Sequence, residues 1–303
     1  VTAILPRAPT YNMEIKYLAL IVISSALHAF YNFLMRKNGG DHYFLNGILL
    51  AAGLLSVVAM TLLKGYAEIP WNNVPYIYGA SFFYILYQIF VNKAYQQGGA
   101  ISTSYPLTVL SPLFIPIWAF IVLGEKISIL TGAGIGATVL GAMMVQMKEI
   151  SLTELKKMFQ FNKDYKGARY AILSSFVYSF GAIFDKYRVS SFQASAYLGL
   201  LVGFMSLNMI IYMLISGRAD FMGYTSKNWE ILLIGGIALL FSFLFFRLAL
   251  QKIDVSIAVP MRQTAIIFAI LFGVVFLKEK FKMEKVVAVI VIFVGILLIN
   301  IGM

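Results

Sequence analysis

Two stretches of this chain are near-copies. YPLTVLSPLFIPIWAFIVLGEK (105–126) and VPMRQTAIIFAILFGVVFLKEK (259–280) align without a gap at an offset of 154 residues. Ser102, Pro106, Phe114, Leu123, Glu125 and Lys126 then face Ser256, Pro260, Phe268, Leu277, Glu279 and Lys280, and the match extends to Gln97 with Gln251 and Gly141 with Gly295. At an offset of 150, Ser25, Phe30 and Arg36 face Ser175, Phe180 and Lys186. Apolar helices always match one another to a degree. A proline followed 19 residues later by Glu-Lys, twice over, is more than that. Whatever this chain folds into is expected to be built twice.

The solvent for that unit is lipid. Of 303 residues 60% are hydrophobic and 12% charged, with a mean hydropathy of +0.84, more apolar surface than a water-soluble domain can hide. Ten apolar windows of about 20 residues follow one another near 15–35, 44–63, 74–97, 100–123, 128–147, 168–189, 194–216, 228–251, 254–277 and 283–302, each long enough for a ~30 Å hydrocarbon core. Five windows per copy is an odd number, so the second copy enters the membrane upside down. The expected fold is all-α and integral to the membrane: ten transmembrane helices as two inverted-topology five-helix repeats, 13–147 and 168–303, with a site at their interface near the midplane. Residues 1–12 are read as an appended or unstructured stretch ahead of a start at Met13, which runs into the first window with no cleavable signal peptide. Between the repeats, 148–167 reads as a surface linker with a short amphipathic helix: Ser151 and Glu154 fit a capping box, and Leu152, Leu155 and Phe159 form a stripe beside Lys156 and Lys157.

Composition and motif also exclude. The net charge of +11 lies at helix ends, where it favours anionic headgroups rather than nucleic acid. Without cysteine there is no disulfide and no thiolate metal site. Two histidines, no H-E-x-x-H, no G-x-S-x-G and no paired intramembrane carboxylates speak against an enzyme, and no metal or cofactor is implied. GAGIGA (132–137) satisfies the dinucleotide fingerprint, but it sits inside an apolar helix, where Gly132, Gly136 and Gly141 read as close helix packing.

Polar residues fall on helical stripes. Ser25, His28, Asn32 and Arg36 share a face of the first helix; Tyr84, Gln88 and Asn92 share a face of the third; Ser175, Tyr178 and Lys186, with Asp185 alongside, repeat the first stripe in the sixth. Each residue alone reads as an interhelical hydrogen bond. Together, in a repeat that implies a central site, they read as its lining. His28 lies near mid-membrane, where an imidazole either packs or passes protons. Pro106 and Pro260 loosen the starts of the two fourth helices, either as plain kinks or to free backbone groups beside the site. Glu125-Lys126 and Glu279-Lys280 close those helices and read as structural charges that could also latch gates.

Arg262 is the sharpest signal. Eight residues into its window it lies roughly 12 Å deep, and its mirror position, Thr108, is uncharged. Three readings stand: a pair with Asp185, the nearest embedded carboxylate; snorkelling to the interface; or a clamp for a carboxylate or phosphate on a solute.

HAFYNFLMRKNGGD (28–41), the half-length repeat and the Pro…Leu-x-Glu-Lys closing each fourth helix resemble the EamA-type branch of the drug/metabolite transporter superfamily, over essentially residues 13–303. The resemblance implies ten helices, a cavity lined by helices 1, 3, 4, 6, 8 and 9, and alternating access without ATP. Similar sequences often carry an arginine after the second proline, which supports a role for Arg262.

The reading is a secondary transporter or exchanger of a small anionic or zwitterionic metabolite in a bacterial-type inner membrane, as a monomer or homodimer, coupled to protons or a counter-substrate. Arg262 would bind the negative group, with Gln263, His28, Asn32, Tyr84 and Gln88 as polar lining and Tyr31 and Tyr105 as aromatic walls. As the one clearly embedded charge, Arg262 would repel lipophilic cations, and Glu14 lies only at the mouth of helix 1. The alternatives are a translocator of a lipid-linked anionic headgroup and a non-transporting receptor or assembly partner. Orientation stays open. Eight Lys and Arg lie on the side of the termini, Arg247 among them, against fifteen opposite. The positive-inside rule then puts the termini outside, whereas the resemblance implies cytoplasmic termini.

Overall fold

The computed structural model describes residues 14–37, 42–97, 110–145, 147, 149–158, 166–218, 220–278 and 283–302. Tyr105, Pro106 and Glu279 lie outside these, as do residues 1–13. The described residues are helical throughout, with no strand among them. The first repeat comprises α1 (Ile15–Lys37), α2 (His42–Leu62), α3 (Val74–Gln97), α4 (Ser111–Trp118, continued by a wide turn at Ala119–Leu123) and α5 (Ile129–Met144). A short α6 (Leu152–Met158) follows, and the Ser151 hydroxyl accepts the Glu154 amide at 3.1 Å as the capping box requires. The second repeat comprises α7 (Lys166–Val189), α8 (Ala194–Ile215), a one-turn insert α9 (Phe221–Lys227), α10 (Trp229–Leu250), the broken pair α11 (Val255–Met261) and α12 (Ala265–Leu277), and α13 (Met283–Ile301).

Among the described residues, six segments are long and apolar enough to cross a membrane: Ile15–Met35, His42–Leu62, Trp71–Ala94, Ala194–Ile215, Trp229–Leu250 and Val255–Phe276. Ser111–Leu123, Ile129–Met144 and Lys285–Ile301 are apolar but shorter. α7 has the length but carries Lys166, Arg169, Asp185, Lys186 and Arg188, so its mean hydropathy falls away. Outward-facing Leu54, Phe120, Val275 and Phe293 are each more than half exposed, and such a surface needs lipid over it.

Packing repeats with the sequence. α1 lies on α10 as α3 lies on α7; α2 meets α10 as α8 meets α3; α1 touches α12 as α7 touches α4. The remaining large contacts, α2 with α8 and α5 with α13, join each helix to its own counterpart. Exchanging the halves maps this set onto itself, as a two-fold relation between them requires.

The α5–α13 seam corrects the reading of GAGIGA. A Cβ on Gly134 would stand 2.6 Å from Gly295 O and 2.7 Å from Ile299 N, and one on Gly141 2.8 Å from Ile292 N. On Gly132 or Gly136 it would meet nothing within 4 Å. The packing face is therefore Gly134 and Gly141, two turns apart. Gly132 and Gly136 lie on the other side of the helix.

Glu125 fastens one half to the other. Pro116 lacks the N–H that α4 needs, the backbone widens over the next turn, and Gly124 ends it at φ 69°. The side chain beyond that turn reaches α11, whose own Asp254 makes no side-chain cap. Glu125 Oε1 accepts from Val255 N (3.0 Å), and Oε2 accepts from Ser256 N (3.1 Å) and Ser256 Oγ (2.5 Å). Burial, with Asp254 adding to it, pushes the carboxyl above its ordinary range; the hydrogen bonds pull the other way. At the same end Lys186 Nζ donates to Leu250 O (2.8 Å) and Ile253 O (2.7 Å), tying α7 to the end of α10.

Candidate functional site

The α11–α12 helix breaks at the arginine. Pro260 is buried in α11, and residues Arg262–Thr264 form a tighter turn before α12 resumes. A mid-helix turn of this kind marks a hinge or a site. α1 braces it: the Ser25 hydroxyl, 2.7 Å from Ile21 O, also lies 3.2 Å from Arg262 O. Ser175, its counterpart on α7, accepts the Leu110 amide at 3.2 Å where the first repeat's fourth helix begins. In both repeats a serine on the opening helix of one half holds the backbone of the other half's fourth helix.

α1 and α10 approach closely because Ser24 and Ser242, both fully buried, exchange hydroxyl-to-carbonyl bonds at 2.8 and 2.9 Å. That contact sets the floor for Arg262. Its Nη2 donates to Ser242 Oγ (3.1 Å) and to His28 Nδ1 (3.2 Å), and its guanidinium lies 4.4 Å over Phe246 and 5.9 Å from Phe243. The side chain is buried, and Nε has no hydrogen-bond partner among the described residues. No carboxylate pairs with Arg262 among the described residues.

Asp185 is taken. Arg247 Nη2 reaches its Oδ2 at 2.6 Å, Tyr84 OH donates to the same oxygen at 2.7 Å, and Tyr197 OH donates to Oδ1 at 2.6 Å. All four side chains are buried. The Arg262–Asp185 pair is thus replaced by Arg247–Asp185, and Arg262 is not the one embedded charge. Arg247 leaves the count of orienting charges as well, because it faces the interior. The sequence held the signal: Asp185 lies four residues before the end of α7, and Arg247 three before the end of α10. Two opposite charges at matching depth are a pair in waiting. The two arginines share one wall, since Arg247 stacks at 4.4 Å on the Phe243 that Arg262 also faces.

Of the other expected lining, Tyr31 OH lies 2.7 Å from His28 Nδ1, and Asn32 Nδ2 turns back to His28 O at 2.8 Å. Tyr84 belongs to the Asp185 network and packs on Tyr178 at 5.3 Å between ring centroids. Asn92 bonds His42 at 3.0 Å, which removes it from the stripe. Gln88 and Gln263 are half-buried, with no hydrogen bond among the described residues. The geometry therefore brings together Arg262, His28 and Tyr31, and joins Tyr84 and Asp185 to Arg247 instead. Ser242, Phe243, Phe246, Arg247 and Tyr197 were not anticipated.

The Nε–H and Nη1–H protons of Arg262, without a partner among the described residues, remain as donors to an oxygen of a carboxylate, sulfonate or phosphate, while a grip on two oxygens at once also needs Nη2, which now serves Ser242 and His28. Stacking on Phe246 offsets about 0.5–2 kcal/mol, against roughly 2.5–3.5 kcal/mol for an arginine at helix depth. The hydrogen bonds to Ser242 and His28 offset part of the difference.

A family model described as the EamA-like transporter family matches residues 15–147 and again 165–301. A solved structure titled only "Crystal structure of protein" superimposes with a TM-score of 0.73 at 16% identity, covering 94% of this chain and 96% of that one. At that identity the likeness speaks for the fold alone. No curated protein matches significantly.

Proposed function

The chain belongs to the EamA-like transporter family, as two copies of its repeat, and from that premise we propose that it carries a small organic anion or zwitterion across the membrane, gripping its negative group with Arg262. Membership makes it an integral membrane transporter of the drug/metabolite transporter superfamily. The finer reading is ten crossings in two inverted halves that rock about a central site, opening it to alternate sides. The observation that carries the substrate class is the state of Arg262: buried, seated on a helix break, and without a carboxylate among the described residues while Asp185 is occupied by Arg247. The Arg247–Asp185 pair adds no net charge beside it, so the region stays positive and disfavours cations. Phe243 and Phe246 give the anion an aromatic flank.

A thermal-stability screen of the purified protein against amino acids, organic acids, phosphorylated metabolites and cationic drugs tests this, because a ligand of the folded state raises Tm by mass action. Anions are expected to stabilise the wild type and not Arg262→Ala. Stabilisation by an anion that survives Arg262→Ala removes the assignment. Uptake of the stabilising solute into reconstituted vesicles separates transport from a receptor that only binds.

A further inference from the structure

Arg262 Nη2 and Tyr31 OH converge on one atom, His28 Nδ1, at 3.2 and 2.7 Å. A guanidinium has protons to give and no lone pair to offer. His28 Nδ1 must therefore present its lone pair, and the neutral ring carries its proton on Nε2. Resting on the reading of Arg262 as the anion grip, we propose that His28 Nδ1 takes up a proton together with each anion bound at Arg262, making the carrier a proton–anion symporter.

The coupling follows from charge and geometry. With the site empty, the guanidinium beside the ring opposes a second positive charge there. An anion held by the unpartnered Nη1–H protons of Arg262 cancels that opposition, and by reciprocity a proton on His28 strengthens the anion by the same factor. The local bonds can follow. Once Nδ1 carries a proton, Arg262 Nη2 loses its acceptor and is released toward the anion, keeping Ser242 at 3.1 Å. The Tyr31 hydroxyl turns from donor to acceptor and keeps its bond to Nδ1. No covalent bond changes other than N–H, and the proton comes from water on the side to which the site opens.

The surroundings leave His28 to Arg262. Arg262 is the charged side chain in contact with the imidazole. On α10, Arg247 is paired with Asp185 of α7 and stacks on Phe243. α12, which also packs on α1, has no ionisable residue along its length. Asn32 engages the backbone carbonyl of His28 and not its ring.

The chain has two histidines, so nitrogen-15 histidine labelling of the full-length protein in lipid nanodiscs gives two ring signals, with His28 identified by its loss in His28→Gln. Without any ligand, His28 is expected to be the Nε2–H tautomer. In Arg262→Gln its protonation midpoint is expected to move to higher pH by about one unit or more, the effect of removing a charge at this range. An Nδ1–H tautomer, or a midpoint unmoved by Arg262→Gln, overturns the coupling. A second arm uses benzoate, whose carboxyl group stays ionised over the range tested. Its stabilisation of the wild type is expected to grow several-fold between about pH 7 and pH 5, the acid end of the range in which an imidazole titrates, and to lose that pH dependence in His28→Gln. Stabilisation that depends on Arg262 but not on pH leaves the anion site standing and removes the symport. Stabilisation of neither wild type nor variant removes both.

Discussion

Arg247 and Asp185 meet at 2.6 Å, and Arg262 has no counter-ion among the described residues. One interior carboxylate serves two interior arginines, and the arginine on the unbroken helix has it. The division of labour gives opposite expectations for two substitutions of the same kind.

Arg247→Met strands Asp185 with only two phenol donors. Breaking a buried pair from one side costs about 3–5 kcal/mol, so Tm in detergent is expected to fall by on the order of 10 °C. Asp185→Leu combined with Arg247→Met is expected to recover most of the loss, because an apolar pair of similar size removes both desolvated charges. Thermal unfolding of the three variants decides it.

Arg262→Met removes a buried charge that no carboxylate among the described residues offsets. Its ligand-free Tm is expected to be unchanged or raised, while the gain in Tm produced by anions disappears. A loss as large as that of Arg247→Met would mean that Arg262 is a structural residue.

Glu125 binds its proton more tightly in the folded chain than in the unfolded one, because burial and Asp254 raise its pKa. Its contribution to stability is therefore present below the ordinary value of 4.5 and lost as pH rises through the raised value. The Tm of the wild type relative to Glu125→Gln is expected to fall as the buffer moves from about pH 4 to neutrality. Glu125→Ala, which removes the cap on Val255 and Ser256, is expected to cost about 1 kcal/mol.

Alanine at the four glycines of α5 separates the two faces of that helix. Gly134→Ala and Gly141→Ala drive a methyl group against the backbone of α13 and are expected to lower Tm. Gly132→Ala and Gly136→Ala point into open space and are expected to leave Tm unchanged or raise it, by up to about 1 kcal/mol. Equal effects at all four would contradict the seam.

Helix positions were legible to within a few residues: the windows at 44–63, 194–216 and 228–251 became His42–Leu62, Ala194–Ile215 and Trp229–Leu250. Hydropathy reports where a chain enters lipid, and it does so residue by residue. Rotation about each helix axis is set by the neighbour, which a single stretch of sequence does not contain. That is why Arg262, anomalous within its own helix, stood out, while Arg247, three residues from a helix end, passed for an interfacial charge. The same blindness put Gly132 and Gly136 on the seam beside Gly141 and left out Gly134. It also left Asn92 in the lining when His42, fifty residues earlier, holds it.

The carboxylate that caps α11 is synthesised 130 residues before the amide it holds. While the second half is still on the ribosome, Glu125 has been delivered and Val255 and Ser256 have not. The first half therefore waits in the bilayer with an unanswered charge at its rim, and closing the Glu125–Ser256 contact is a late event in biogenesis. Substitutions at either residue should then reduce the yield of assembled protein in the cell more than they lower the melting temperature of the molecules that do assemble.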